Sequence, residues 1–276
     1  LLSRQSTVAG PAFNRWLAPP AAISVHMCIG QVYGFSVFNV PLTQSPAGWT
    51  IPQVGWVYSI ALAMLGLSAA IFGKWVERSG PRKTMVTSCL CFCGGLLISA
   101  VAVKLQNLWL LYLGYGVIGG IGLGLGYISP VSTLIKWFPD RRGMATGMAI
   151  MGFGGGAMIG APLADALMNI YRTPEDMGVW QTFVTMGAIY FVFMMGGAFG
   201  YRIPRAGWKP HGWTAPVTDT AIAAKGDGDR HRPGVQRPAF RWPAGSTRQR
   251  SLAFPRFPHQ LRRSAVSDRR CQGRRV

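Results

Sequence analysis

The sequence predicts an all-α membrane protein: six transmembrane helices followed by a disordered, basic carboxy-terminal tail. Three observations lead there. Charged residues make up only 13% of the 276 positions and hydrophobic ones 49%, whereas a soluble domain carries about 25% charged residues. Six apolar stretches come close to or exceed the ~20 residues that a helix needs to cross ~30 Å of hydrocarbon. The net charge of +19 is also lopsided, because thirteen arginines fall in the last fifty residues.

Leu1 to Leu17 form a polar lead-in carrying Arg4 and Arg15. The first apolar run is long and has no small-residue cleavage site behind it, so no cleavable signal peptide is expected. Span one is expected over residues 18–41, with Pro19 and Pro20 in its first turn, where an amide would be unpaired anyway. Span two is expected over 54–72, span three over 84–103, span four over 107–135, span five over 143–168 and span six over 179–201. A loop covers 202–216 and the tail 217–276.

The connectors set the expected orientation. Lys74, Arg78, Arg82 and Lys83 lie between spans two and three, Lys136, Arg141 and Arg142 between four and five, and Arg202, Arg205 and Lys209 after six. The opposite connectors are uncharged, carry Lys104 alone, or set Arg172 against Glu175 and Asp176. The positive-inside rule then puts both termini in the cytoplasm of a cell (inner) membrane. Trp16, Trp49, Trp56, Trp75, Trp109, Trp137 and Trp180 all fall near span ends, where an amphipathic indole prefers to sit.

Spans four and five carry glycine stripes. Gly116, Gly120 and Gly124 recur every fourth residue, with Gly122 and Gly126 between them, and Gly152, Gly156 and Gly160 repeat the pattern. In water each costs roughly 1 kcal/mol relative to Ala. In a bilayer the backbone has no alternative partner, so the helix persists and its bare face lets a neighbouring helix approach closely.

Cys89, Cys91 and Cys93 are spaced i, i+2, i+4, which scatters their sulfurs around a helix. That is not a zinc pattern, so they read as small buried hydrophobes and no metal or other cofactor is expected. No nucleophile–base pair, HExxH or phosphate-binding loop points to an enzyme. Gln31, Tyr33 and His26 are polar groups within span one. A buried amide or ring nitrogen costs a few kcal/mol without a partner, so each either reaches a ligand or bonds a neighbouring helix. Asp165, near the outer end of span five, is expected at the membrane interface.

The tail is rich in Arg, Pro, Gly and Ser, has no Lys after Lys225, and shows no helical or strand period. It cannot bury enough surface to offset its chain entropy. Two readings stand: a polybasic arm for anionic lipid or nucleic acid, or a GC-rich stretch translated out of frame.

The connector Gly73-Lys74-Trp75-Val76-Glu77-Arg78-Ser79-Gly80-Pro81-Arg82-Lys83 resembles the loop signature of the major facilitator superfamily. The hinge Lys136-Trp137-Phe138-Pro139-Asp140-Arg141-Arg142-Gly143, with Gly126-Tyr127-Ile128-Ser129-Pro130 before it and Gly30-Gln31-Val32-Tyr33 in span one, is similar to the oxalate/formate antiporter family within it. The resemblance runs from about Leu17 to Pro216.

It implies one half of a twelve-span carrier that binds a small carboxylate between its halves near the midplane. Gln31, Tyr33 and Tyr127 would face that central cavity and donate to the carboxylate. Glu77, Arg78, Arg82 and Lys83, on the turn allowed by Gly73 and Gly80, would gate the cytoplasmic side. The paired cations of the family would lie in the other half, so a carboxy-terminal half or a second copy is needed, and no nucleic acid is expected as a partner. Two departures stand out: span four opens with tyrosines where proton-coupled relatives carry Arg, and Ala161 separates Gly160 from Pro162. Two other functions compete with the carrier, namely a non-functional truncated or frameshifted remnant and a six-span interaction protein whose basic tail binds lipid.

Overall fold

The computed structural model describes residues 5–10, 13–44, 46, 48–205, 207–210 and 212–214; the tail from 217 onward lies outside them. Six helical segments are long and apolar enough to cross a membrane: Arg15–Thr43, Ile51–Ser79, Pro81–Lys104, Leu108–Trp137, Pro139–Tyr171 and Val179–Gly200. They are spans one to six. Among the described residues there is no sheet, and strand-like pairing is confined to one parallel bridge between Val8 and Ile203.

Most helices run past the apolar windows that announced them. Span two continues to Ser79, where a window of apolar residues ends at Phe72. Its internal hydrogen bonds satisfy the backbone whether or not the outer turns lie in lipid. The turn into span three is consequently a single residue. Gly80, at φ +85°, ends one helix and Pro81 opens the next; the positive φ demands glycine, and Pro sits at the first helical position, where no amide is needed. At the far end of span two, the Thr50 amide donates to Gln53 Oε1 at 2.9 Å, half of a capping box.

The most extensive packing joins spans three and four, one and five, two and four, and three and six, while span one also touches four and six. Glycines line the first three of these pairs. Gly116, Gly120 and Gly124 turn toward span two, where an added Cβ would meet Ile60, Met64 and Ser68. Gly122 and Gly126 turn toward span three, where it would meet Phe92 and Ser88. Gly152, Gly156 and Gly160 all face span one, against His26, Gly30 and Gln31 in turn. Gly154 and Gly155, by contrast, face open space.

Two spans depart from regular α geometry. Span one is α-helical over Ala18–Gly30, tightens to a 3-10 helix over Gln31–Phe38, and recovers over Asn39–Thr43. Span four widens to a π-helix over Tyr112–Gly119. Both were expected as continuous helices. The two irregular stretches touch, with Phe35 and Tyr115 ring centroids 4.7 Å apart.

The basic end of the bundle is stitched together. The Ala9 amide donates to the Ile203 carbonyl at 2.9 Å and the Ile203 amide to the Thr7 carbonyl at 3.0 Å. Arg202 and Arg205 donate to the Ser6 and Ala9 carbonyls. Arg15 pairs with Asp140 in the span four–five hinge at 3.1 Å. Trp137 and Trp49 are buried: the Trp137 indole donates to the Arg202 carbonyl at 2.8 Å, so it serves as a strut. Asp165 is exposed near the end of span five and accepts from Asn169 Nδ2. Cys28, Cys89 and Cys93 are buried thiols, and Cys91 is half-buried.

Candidate functional site

The irregular part of span one positions the polar residues. Gln31 and Tyr33 are two residues apart, and such neighbours do not share a helix face. Tyr33 is 47% exposed, whereas Gln31 is 1% exposed. Gln31 therefore does not join Tyr33 on the open surface. Its Oε1 accepts a 3.2 Å hydrogen bond from the Tyr115 hydroxyl, inside the bundle. Its Nε2 is buried with no hydrogen-bond partner among the described residues, as is the Tyr190 hydroxyl. Both lie beside Gly160, where a Cβ would come within 2.6 Å of Gln31 Cγ and 3.1 Å of the Tyr190 oxygen.

From Tyr33 a line of rings runs inward. Tyr33 meets Phe153 edge-on at 5.1 Å; Phe153 lies 5.1 Å from Tyr127; Tyr127 stacks on His26 at 5.6 Å and 17°. Spans one, four and five thus share an aromatic wall that is open at Tyr33 and half-buried at Tyr127. Phe153 holds it together, and sequence reasoning passed it over: one aromatic among the many apolar residues of a span carries no signal of its own. The wall offers phenolic hydroxyls, which can donate to an anion.

The gate motif divides in two. Glu77, Arg78 and Lys83 are exposed, and Gly73 lies within the helix of span two with nothing against its face. Arg82 is buried, and its Nη2 donates to the Phe199 and Tyr201 carbonyls at 3.3 and 3.5 Å. Those are the last carbonyls of span six and just beyond it, which have no partner within the helix. Arg82 is therefore spent on the bundle, while its neighbours remain on the surface. Burial also pushes the Tyr201 phenol above its usual range.

The sequence profile of the Major Facilitator Superfamily matches residues 22–257. The chain belongs to the major facilitator superfamily. The match runs beyond Pro216, where the motif resemblance ends. Superfamily membership makes it a multi-pass membrane protein of a transporter family. Among curated relatives, it is 30% identical over 185 residues to the uncharacterized MFS-type transporter YhjX of Escherichia coli (strain K12), covering 67% of this chain and 44% of that one. It is 30% identical over 220 residues to apicoplast pyruvate carrier 1 of Toxoplasma gondii, covering 69% and 39%. It is 25% identical over 193 residues to the oxalate:formate antiporter of Oxalobacter formigenes, covering 69% and 43%. The chain spans less than half the length of these superfamily relatives.

Proposed function

We propose that this bundle is one wall of a carrier for small carboxylate anions, working by alternating access in a cell (inner) membrane with both termini cytoplasmic. Tyr33 carries the reading: a phenol held on the exposed surface in mid-span, on a stretch of non-α helix and backed by the rings of Phe153 and Tyr127. Non-α turns inside membrane helices are found often at functional sites. Tyr33 and Tyr127 donate to the carboxylate, and Gln31 acts from behind them through its bond to Tyr115. The relatives named for pyruvate and for oxalate and formate support a carboxylate over other solutes, and exchange of oxalate for formate is the specific form proposed.

A facing six-span body, from the same polypeptide or a second copy, completes the passage. Glu77, Arg78 and Lys83 meet its helix ends and close the cytoplasmic side, where a carboxylate near a helix N-terminus gains roughly 0.3–1 kcal/mol. The test is uptake of labelled oxalate, formate and pyruvate into preloaded proteoliposomes. Exchange above empty vesicles, cut at least tenfold by Tyr33→Phe with the fold intact, is the expected result. No exchange above empty vesicles removes the reading for this chain.

A further inference from the structure

His26 sits in the α-helical part of span one, fully buried. Its Nδ1 lies 2.8 Å from the Ala149 carbonyl oxygen of span five, and its Nε2 lies 3.2 Å from the Tyr127 carbonyl oxygen of span four. A carbonyl can only accept, and a neutral imidazole has one N–H. The neutral ring therefore satisfies one contact and turns a lone pair toward the other oxygen. The imidazolium donates to both. Two more features favour the positive ring. Pro130 has no amide, so the Gly126 carbonyl one turn earlier loses its helical partner, and that carbonyl lies beside the same imidazole. The Tyr127 ring stacks on it and offers an electron-rich face. Burial opposes the charge, so carbonyls and desolvation work against each other at a single site.

Apart from the Tyr127 phenol, whose ring stacks on the imidazole, the titratable groups on the packed elements stand elsewhere. Lys136, Arg142 and Asp165 lie nearer the ends of spans four and five, each about 10 Å or more along its helix from the residue that contacts His26. Tyr190 is on span six and Cys28 on span one itself.

We propose that His26 is a proton-binding site that fastens span one to both span four and span five when charged, and frees one of them when neutral. The proton is taken up from solvent by the ring nitrogen that carries the lone pair and is returned to solvent when that contact parts, and no other bond is made or broken. The site stands on its own geometry. Its consequence for transport, that a proton accompanies the change of state and offsets an anion's charge, rests on the carrier reading.

The full chain carries four histidines. His211→Gln, His231→Gln and His259→Gln together leave His26 as the sole one. With 15N-labelled imidazole in lipid nanodiscs, the spectrum is followed from about pH 8 to about pH 5, the range in which histidine is the natural switch. The expected result is conversion from one neutral tautomer to a ring with both nitrogens protonated. The 13C carbonyl signals of Ala149 and Tyr127 should move at the same pH, and that movement should vanish in His26→Gln. A ring that keeps one form, neutral or charged, across the whole range would overturn the proposal. Neither readout requires transport, so failure of carboxylate exchange and failure of the proton site are separate results.

Discussion

At the scale of single residues, close packing decides more than polarity does. A methyl group at Gly156 would press on the Met27 carbonyl and the Gly30 backbone, whereas one at Gly155 would meet nothing. Gly156→Ala should therefore lower stability by about 1–3 kcal/mol through overpacking, and Gly155→Ala should leave it unchanged or raise it slightly through helix propensity. Thermal unfolding of the two variants in the same detergent checks the pair; equal melting temperatures would refute the contact. Arg82→Ala should cost about 1.5–3 kcal/mol, the range for hydrogen bonds from a charged donor, while Lys83→Ala on the exposed side should cost little. The stripes themselves were legible, because glycine at every fourth position has few other uses in lipid. Which neighbour each stripe meets was not, since that depends on how the helices cross. Nor could the spacing of Gln31 and Tyr33 alone show which of them turns inward.

At the scale of elements, the existence of six helices followed from apolar length alone. Their internal irregularity did not. Nothing in Gln31–Phe38 or Tyr112–Gly119 forbids an α-helix. The tightening of one and widening of the other come with the packing of Phe35 against Tyr115 and the Tyr115–Gln31 hydrogen bond. Tyr115→Phe keeps the ring and removes that donor, leaving the Gln31 oxygen buried without it. The expected cost is about 1–3 kcal/mol, read as a lowered melting temperature. An unchanged value would mean that the hydrogen bond does not hold the two irregular stretches in register. The single-residue turn at Gly80 was half legible: the glycine allowed a tight turn, but the charged flanks concealed that helix continues on both sides.

At the scale of the whole molecule, the family and the six-span body could be read from motifs and charge bias. The stitch at the basic end could not, because residues 5–9 and 202–205 have no period and pair only once the helices have brought them together. Removing residues 1–10 should loosen that end and lower the melting temperature by about 2–4 °C, the response expected for a loss of ~1 kcal/mol in a body of this size. Trp137→Phe, which keeps an aromatic ring but loses the bond to Arg202, should do the same more weakly.

Because residues 7–9 run alongside Ile203, the polypeptide enters and leaves the helical body through one doorway. Adjacent ends are what circular permutation needs. A rearranged gene that bridges the two ends with a short flexible linker and opens the chain in the connector between spans one and two should yield the same protease-resistant body. Covalent order would then be a convenience of synthesis, and the crossing of the helices the lasting specification.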